Sequence, residues 1–221
     1  MRERRFDEEL KRLKERLLMM AGLAEESIGK AIKALTVRQV ELARAVIEED
    51  EAINRMEVEI EEVCLSLIAR YQPEAKDLRF IAMVFKIVND LERVGDQAVN
   101  ISERTLDLLK EPPVKPLIDI PKMAQIAQQM LKDSLDAFVN NDADLARSVC
   151  RRDDQVDNLN NDVRNELLVY MARDAQTINR AVDLILVGRH LERVADHATN
   201  IAEDVYYLVR GTTIKHHLAG D

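Results

Sequence analysis

Glycine, proline and aromatic residues are scarce in this chain. Its 221 residues include six Gly, five Pro and no Trp, and aromatic side chains make up 4 %. Sheets and doubly wound α/β folds need many turns and many β-branched or aromatic positions, so this composition excludes them. Apolar residues still account for 47 % of the sequence, which is enough for a sizeable core. The composition therefore predicts an all-α fold built from long helices.

Long apolar runs and an excess of basic residues are also missing. The longest run, at 80–85, is far shorter than the roughly 20 residues needed to cross a bilayer, and the start of the chain lacks the pattern of a signal peptide. Cys64 and Cys150 have no CxxC spacing and are expected to be buried thiols in a reducing compartment. The formal charge of −9 argues against nucleic acid as a partner. We expect a cytoplasmic protein that meets membranes only through partners.

Apolar residues recur at three- and four-residue steps along most of the chain, which indicates helices. This periodicity predicts six of them, at about 4–36, 39–71, 74–110, 122–140, 142–171 and 175–210. The segment 111–121, EPPVKPLIDIP, holds four of the five prolines and indicates a linker or hinge. The predicted organisation is a three-helix domain at 1–110, the linker, and a three-helix domain at 122–221.

The two halves of the chain repeat each other. DLERVGDQAVNISE at 90–103 and HLERVADHATNIAE at 190–203 agree at nine of fourteen positions, with an offset of 100 residues. Upstream, LARAV at 42–46 corresponds to LARSV at 145–149 with an offset of 103. Shared amphipathicity would reproduce apolar positions, but it would not reproduce matching Glu, Arg, Asp and Asn. We therefore predict two tandem three-helix bundles related by internal duplication.

Oxygen-bearing side chains follow one face of the repeated motif. At about 100° per residue, positions 92, 96, 100 and 103 fall within roughly 80° of one another and away from the apolar stripe. The candidate site residues are Glu92, Asp96, Asn100 and Glu103 in the third helix, Glu192, Asp196, Asn200 and Glu203 in the last helix, and Asp50, Asn54, Glu57, Asp153 and Asp157 in the middle helices of the two repeats.

These acidic ridges suggest metal binding. Carboxylates at i, i+4 repel each other unless a cation or a basic group lies between them. Carboxylate and amide oxygens suit hard cations such as Mg²⁺, Mn²⁺, Ca²⁺ or iron. The pattern predicts metal ions on outward-facing ridges, and the alternative is a plain helical scaffold whose acidic faces are only solvated.

Known catalytic motifs are absent. None of the four histidines lies three residues after a glutamate, so the Glu-x-x-His pair of buried di-iron proteins is missing. The sequence also has no phosphate-binding glycine loop, nucleophile elbow or HExxH. We expect a protein that is not an enzyme. A surface metalloenzyme, such as a phosphohydrolase or an oxidase, is the alternative.

The duplicated LERVGDQAVNISE and LERVADHATNIAE segments resemble the paired E(D)xxxD motifs of the PhoU family, accessory regulators of bacterial phosphate transport. The segment FDEELKRLKERLLMMAGLAEESI at 6–28 is similar to the first helix of that family, and YQPEAKDLRFIAMVFKIVNDLERVGD at 71–96 resembles its central stretch. The resemblance covers residues 5–212. One departure is Asn160 opposite Glu57, which leaves the middle helix of the second repeat with one acid fewer.

The resemblance implies metal ions on the bundle surfaces, with iron, zinc, manganese or magnesium as candidates. The motif carboxylates that would hold them are Glu92, Asp96, Glu192 and Asp196, with contributions from Asp50, Asp153 and Asp157. It also implies a homodimeric negative regulator of the phosphate-starvation response and of phosphate uptake. Its partners would be the ATPase subunit of the phosphate ABC transporter and a sensor histidine kinase. An accessory protein of another phosphate permease is the alternative within this fold.

Overall fold

Seven α-helices and one 3₁₀ turn make up the secondary structure of the part of the chain that the computed structural model describes, which is residues 2–214, with side chains from residue 5 onward. The helices are α1 (Arg2–Val37), α2 (Val40–Tyr71), α3 (Ala75–Leu108), α4 (Asp119–Asn140), α5 (Ala143–Cys150), α6 (Asp153–Arg173) and α7 (Ile178–Arg210), and the 3₁₀ turn is Ala175–Thr177. No strand occurs between residues 2 and 214, and the prediction of an all-α fold is confirmed. Residues 1 and 215–221 of the two predicted domains lie outside the described residues.

The helices form two bundles that lie side by side. α1, α2 and α3 pack together in the first repeat, and α4, α5, α6 and α7 in the second. The repeats meet mainly through α3 against α7, with α1 against α4, and one continuous set of buried apolar side chains runs through both. The prediction of tandem bundles related by duplication is confirmed. No helix within residues 2–214 has an apolar stretch long enough to span a membrane.

Polar pairs fix the register of α3 against α7. The pairs are Lys86 with Asp204, Asp90 with His197, Gln97 with His190, and Arg104 with Asp183. Residue numbers rise along one helix as they fall along the other, so the two helices are antiparallel. His190 Nδ1 lies 2.8 Å from Gln97 Oε1, and burial lowers the pKa of this imidazole to about 4. His190 is therefore neutral at pH 7.

The predicted single helix at 142–171 is wrong, because the chain turns at 151–152 between α5 and α6. Arg152 Nη2 donates to Asp133 Oδ2 of α4 at 2.6 Å, which ties this turn to a neighbouring helix. Val149 and Val156 are both buried on either side of it. Because these residues are seven positions apart, the apolar periodicity continues across the turn and gives no sign of a break.

The proline-rich segment between the repeats is held in place by three basic side chains. Arg38 Nη2 donates to the carbonyl oxygen of Glu111 at 2.7 Å, and Arg180 Nη1 donates to that of Pro112 at 2.6 Å. Lys115 is buried and pairs with Glu166 of α6. The last three residues of the predicted linker, 119–121, form the first turn of α4. A proline is tolerated in a first turn because its missing N–H would have no partner there.

Candidate metal centres

The motif carboxylates of the first repeat lie in the groove between α2 and α3. We call the group Asp50, Asn54, Glu57, Glu92 and Asp96 the first cluster. The two helices come close here because Gly95 has no side chain. A Cβ at this position would lie 3.0 Å from Asp50 Oδ1 and 3.1 Å from Ile53 Cδ1. The prediction of outward-facing ridges is therefore wrong for this group, since the ridge of α2 and the ridge of α3 face each other and are partly buried.

Three oxygen atoms of the first cluster are buried and have no hydrogen-bond partner: Asp50 Oδ1, Asn54 Oδ1 and Glu92 Oε2. Asn54 Nδ2 donates to Asp50 Oδ2 at 2.9 Å, which leaves the other oxygen of each side chain unused. Arg93 supplies the nearby positive charge, with its Nε 3.5 Å from Glu92 Oε2 and its Nη1 3.2 Å from Asp96 Oδ2. Buried acceptors without donors are uncommon in folded proteins, and a bound cation is one way to satisfy them.

Three carboxyl groups of the first cluster lose their protons less readily than an exposed carboxyl group does. Burial raises the pKa of Asp50, Glu57 and Glu92 above the usual range of carboxyl groups. Neighbouring carboxylates raise these pKa values further, with Asp96 acting on Asp50 and Glu92, and Glu61 acting on Glu57. A multivalent cation in the groove would offset both effects, because it favours the charged form of these three carboxyl groups.

The corresponding groove of the second repeat lies between α6 and α7. We call its members Asp153, Asp157, Asn160, Glu192 and Asp196 the second cluster. Here Glu192 has partners, because Asn160 Nδ2 and Arg189 Nη1 donate to its two oxygens. Thr199 Oγ1 donates to Asp153 Oδ1 at 3.3 Å. Burial, then Asp196 and Asp157, raise the pKa of Asp153 to about 6.

Each cluster holds four acids and one asparagine, but the two repeats differ in charge at four equivalent positions in and beside the clusters. The differing pairs, first repeat before second, are Asn54 and Asp157, Glu57 and Asn160, Glu61 and Arg164, and Asn89 and Arg189. The first repeat thus has two acids where the second has two arginines and one aspartate, so the first is three formal charges more negative. Arg164 and Arg189 belong to the second site, although the repeated motif does not indicate them. An alignment of the repeats beyond the motif would have revealed both.

Four predicted site residues stay apart from the clusters. Asn200 Nδ2 donates to Asp90 Oδ1 at 3.2 Å and so belongs to the contact between α3 and α7. Glu203 faces α5, where burial and then this carboxylate raise the pKa of the thiol at the end of that helix. Glu103 is exposed and Asn100 half-buried, and no contact of either with the first cluster is found among the described residues.

The donor chemistry of the first cluster fits a hard cation, since it offers carboxylate and amide oxygens of which three lack hydrogen bonds. Within residues 2–214, no three His, Cys, Asp or Glu side chains are placed to hold one metal ion as they stand. Coordination by three carboxylates therefore requires side-chain rotation in the groove. The second cluster fits less well, because Asn160 and Arg189 already occupy the oxygens of Glu192.

Comparison with known proteins gives consistent matches along the chain. The PhoU domain matches residues 17–105 and 120–205, one copy in each repeat. The chain is 47 % identical to the phosphate-specific transport system accessory protein PhoU homolog of Aquifex aeolicus, over 94 % of both proteins. It is 42 % identical to the homolog of Pseudomonas putida, over 96 % of this chain and 83 % of the relative.

Solved structures show the same fold. The crystal structure of PhoU from Pseudomonas aeruginosa is 42 % identical, covers 94 % of this chain and 100 % of its own, and superposes with a TM-score of 0.91. The phosphate transport system regulatory protein PhoU from Streptococcus pneumoniae is 31 % identical, covers 95 % of this chain and 99 % of its own, and gives a TM-score of 0.87.

Proposed function

Because this chain belongs to the PhoU family, we propose that it is a cytoplasmic negative regulator of the phosphate-starvation response and of phosphate uptake. It acts as a homodimeric adaptor between the ATPase subunit of the phosphate ABC transporter and a sensor histidine kinase. The names of its relatives support this proposal, since they are accessory and regulatory proteins of phosphate transport. Helix faces exposed along both bundles provide the surface for such contacts.

We also propose that the clusters bind metal ions, the first more tightly than the second. The observation that carries this proposal is the set of three buried oxygens without hydrogen bonds on Asp50, Asn54 and Glu92. Candidate ions are iron, zinc, manganese and magnesium. A bound ion would neutralise the facing carboxylates of α2 and α3 and so hold the two helices together. The protein residues would orient the ion and leave its outer positions accessible from the surface.

A role as a binding protein rather than an enzyme fits the side chains around the clusters. His190 and His197 are engaged between α3 and α7 by Gln97 and Asp90. Cys64 is buried, and burial raises the pKa of its thiol to about 12, which makes it a poor nucleophile. The relatives are named as accessory proteins. Turnover of phosphate esters by the metal-loaded protein would contradict this part of the proposal.

Metal analysis of conservative variants tests the site. Replacing all four motif acids, in the variant Glu92→Gln, Asp96→Asn, Glu192→Gln, Asp196→Asn, should abolish metal content while circular dichroism and melting still show a folded protein. The matched control is Glu103→Gln with Glu203→Gln, because these motif acids lie outside the clusters and their loss should leave the metal content unchanged. The measurement is elemental analysis of untagged protein purified without chelator. Equal metal content in the two variants would refute the assignment.

The regulatory role is tested separately. In a phosphate-replete strain that lacks its own copy, this chain should repress a phosphate-starvation reporter, and the purified ATPase subunit and kinase should each be captured by it. A chain that binds metal but neither represses the reporter nor captures a partner would disprove the regulatory role and leave the metal site standing.

A further inference from the structure

The second repeat exposes an apolar patch on the surface formed by α6 and α7. Three of its members, Ile178, Val182 and Leu186, follow one side of α7 at four-residue steps, and Leu168 belongs to α6. Their exposed fractions are 42 % for Ile178, 43 % for Val182, 37 % for Leu186 and 51 % for Leu168. A four-residue step places successive side chains one turn apart on the same face of a helix. We call these four residues the apolar patch.

The antiparallel register of α6 and α7 brings the members of the patch together. Arg164 of α6 and Leu186 of α7 line the same surface depression, which has a volume of about 400 Å³. One turn further along α6 is Leu168, and one turn back along α7 is Val182. These two side chains therefore lie on neighbouring helices at the same level, and Ile178 extends the apolar surface by another turn.

Basic side chains border one end of the patch. Arg164 and Arg189 lie in the depression beside Leu186, which Asp157 and Glu192 also line. The guanidinium of Arg189 donates to Glu192, whereas Arg164 is exposed and makes no ion pair with any other described residue. An apolar surface that ends in an unpaired cation is complementary to a ligand with apolar side chains and an acidic end.

The first repeat lacks this combination. In the first repeat, the residues equivalent to Leu168, Ile178, Val182 and Leu186 are Leu65, Leu78, Ala82 and Lys86, in that order. The two arginines at the border of the patch, Arg164 and Arg189, are replaced there by Glu61 and Asn89. Lys86 is used in the ion pair with Asp204 of α7. Duplication alone therefore does not produce the apolar patch, which is a property of the second repeat.

We propose that the apolar patch binds an amphipathic helix of a partner protein, with acidic residues at the end that meets Arg164 and Arg189. Two antiparallel helices form a groove that a third helix can occupy, with apolar side chains at i, i+4 and i+7. The distance from Ile178 to Leu186 is about 12 Å along α7, so the contact involves two to three turns of the partner. An anionic lipid surface is disfavoured, because the patch is bordered by two arginines, fewer than the roughly four to eight basic residues typical of sites for anionic lipids, and the chain carries a charge of −9.

The proposal gives the adaptor function of the preceding section a docking surface, but its test needs neither metal, transporter nor kinase. The probe is a fluorescent synthetic peptide of about 16 residues, helical and amphipathic, with leucines on one face and glutamates at one end. A second peptide carries lysines in place of the glutamates. Fluorescence anisotropy with the full chain should give a micromolar Kd for the glutamate peptide and about tenfold weaker binding of the lysine peptide.

Two substitutions in matched positions sharpen the test. Leu168→Glu should weaken binding of the glutamate peptide about tenfold or more, whereas Leu65→Glu at the equivalent position of the first repeat should leave it unchanged. Both side chains are more than half exposed, at 51 % and 59 %, so both variants are expected to fold, as circular dichroism would verify. Arg164→Glu should reverse the preference, so that the lysine peptide binds more tightly, because a negative charge then borders the patch. This substitution gives the second repeat the same charge that Glu61 has at the equivalent position of the first repeat.

Four outcomes would overturn the proposal. The first is an absence of binding by the glutamate peptide. The second is equal affinity of the chain for the two peptides, or equal affinity of Leu168→Glu and the unmodified chain for the glutamate peptide. The third is binding of the chain to vesicles with anionic lipids that Leu168→Glu abolishes, which would assign the patch to a membrane. The fourth is a dimer in light scattering that Leu168→Glu dissociates, which would assign the patch to a second copy of the chain.

Discussion

Single side chains distinguish the two acidic clusters more than their shared motif suggests. Glu92 and Glu192 occupy equivalent positions, yet Glu92 keeps a buried oxygen without a hydrogen bond, whereas Asn160 and Arg189 donate to both oxygens of Glu192. A side chain already satisfied by the protein gains less from a cation than one that is not. The difference comes from residues around the motif, not from the motif itself.

This difference predicts unequal affinities for a divalent cation. In calorimetry with Mn²⁺, the variant Glu92→Gln with Asp96→Asn should lose the tighter binding phase, whereas Glu192→Gln with Asp196→Asn should keep it. We expect the phases to differ about tenfold or more, because Glu61 and Asn89 beside the first cluster correspond to Arg164 and Arg189 beside the second, a difference of three formal charges. Arg164→Glu combined with Arg189→Asn should raise the affinity of the second cluster. Identical titrations of the two paired variants would contradict this account.

Spacing within one helix identified most members of the two clusters, but it did not reveal whether their side chains face solvent or a neighbouring helix. The sequence places Glu92 and Asp96 away from the apolar stripe of α3, which suggested exposure to solvent. Their burial depends on α2, whose own acidic ridge lies opposite at Gly95. Such a contact joins residues more than 40 positions apart, and helical periodicity carries no information about it.

At the scale of helices, the approach of α2 to α3 depends on the absence of one side chain. A methyl group at Gly95 would press against Asp50 and Ile53, whereas the equivalent position in the second repeat is Ala195. The second repeat already accommodates a methyl group there, with Ala195 buried. The second groove has its own close approach seven residues earlier on α7, where a Cβ at Gly188 would lie 2.7 Å from Asn160 Oδ1.

Two glycine substitutions test this point. Gly95→Ala should lower the free energy of unfolding by about 1 kcal/mol and weaken Mn²⁺ binding, because the Cβ would lie 3.0 Å from Asp50 Oδ1. Gly22→Ala is the control, since nothing lies within 4 Å of a Cβ there, and it should stabilise the protein by up to about 1 kcal/mol. Urea unfolding measures both. Stabilisation by Gly95→Ala equal to that by Gly22→Ala would show that the groove is not tight.

Helix ends could be predicted only where the local sequence encodes them. Asp142 follows the Asn140-Asn141 turn and is a residue type that favours the N-cap, and its Oδ1 accepts from the backbone N–H of Asp144 and Leu145 at 3.0 and 2.9 Å. The turn between α5 and α6 has no such local signal, because Arg152 is held by a residue of α4. Tertiary contacts of this kind override helix propensity, and a single sequence does not reveal them.

For the whole molecule, the continuous core predicts that both repeats unfold together. Buried side chains of α3 and α7 belong to one apolar cluster that includes residues from both bundles. Disrupting either half should therefore destabilise the entire chain. The repeated set of three helices and the linker between the copies suggested two domains. The extent of contact between the two domains could not be predicted, because helix faces that meet between repeats have the same apolar pattern as faces within each repeat.

Calorimetry of two cavity variants checks this cooperativity. Leu67→Ala in the first repeat and Leu167→Ala in the second each remove a fully buried side chain and should cost about 2–5 kcal/mol. Each should move a single endotherm to lower temperature, with the calorimetric enthalpy equal to the van't Hoff enthalpy. Two separate endotherms would indicate independent bundles, if the substitution shifts only the endotherm of the repeat that carries it.

The polar pairs between α3 and α7 have a reciprocal arrangement. Asp90 contacts His197, and His190, the counterpart of Asp90, contacts Gln97, the counterpart of His197. This is the isologous contact of a two-fold symmetric dimer, contained here in one polypeptide. In a true homodimer every substitution appears on both sides of the axis, whereas in a fused chain it appears once. Covalent fusion thus permits one half to carry Glu61 and Lys86 where the other half carries Arg164 and the exposed Leu186.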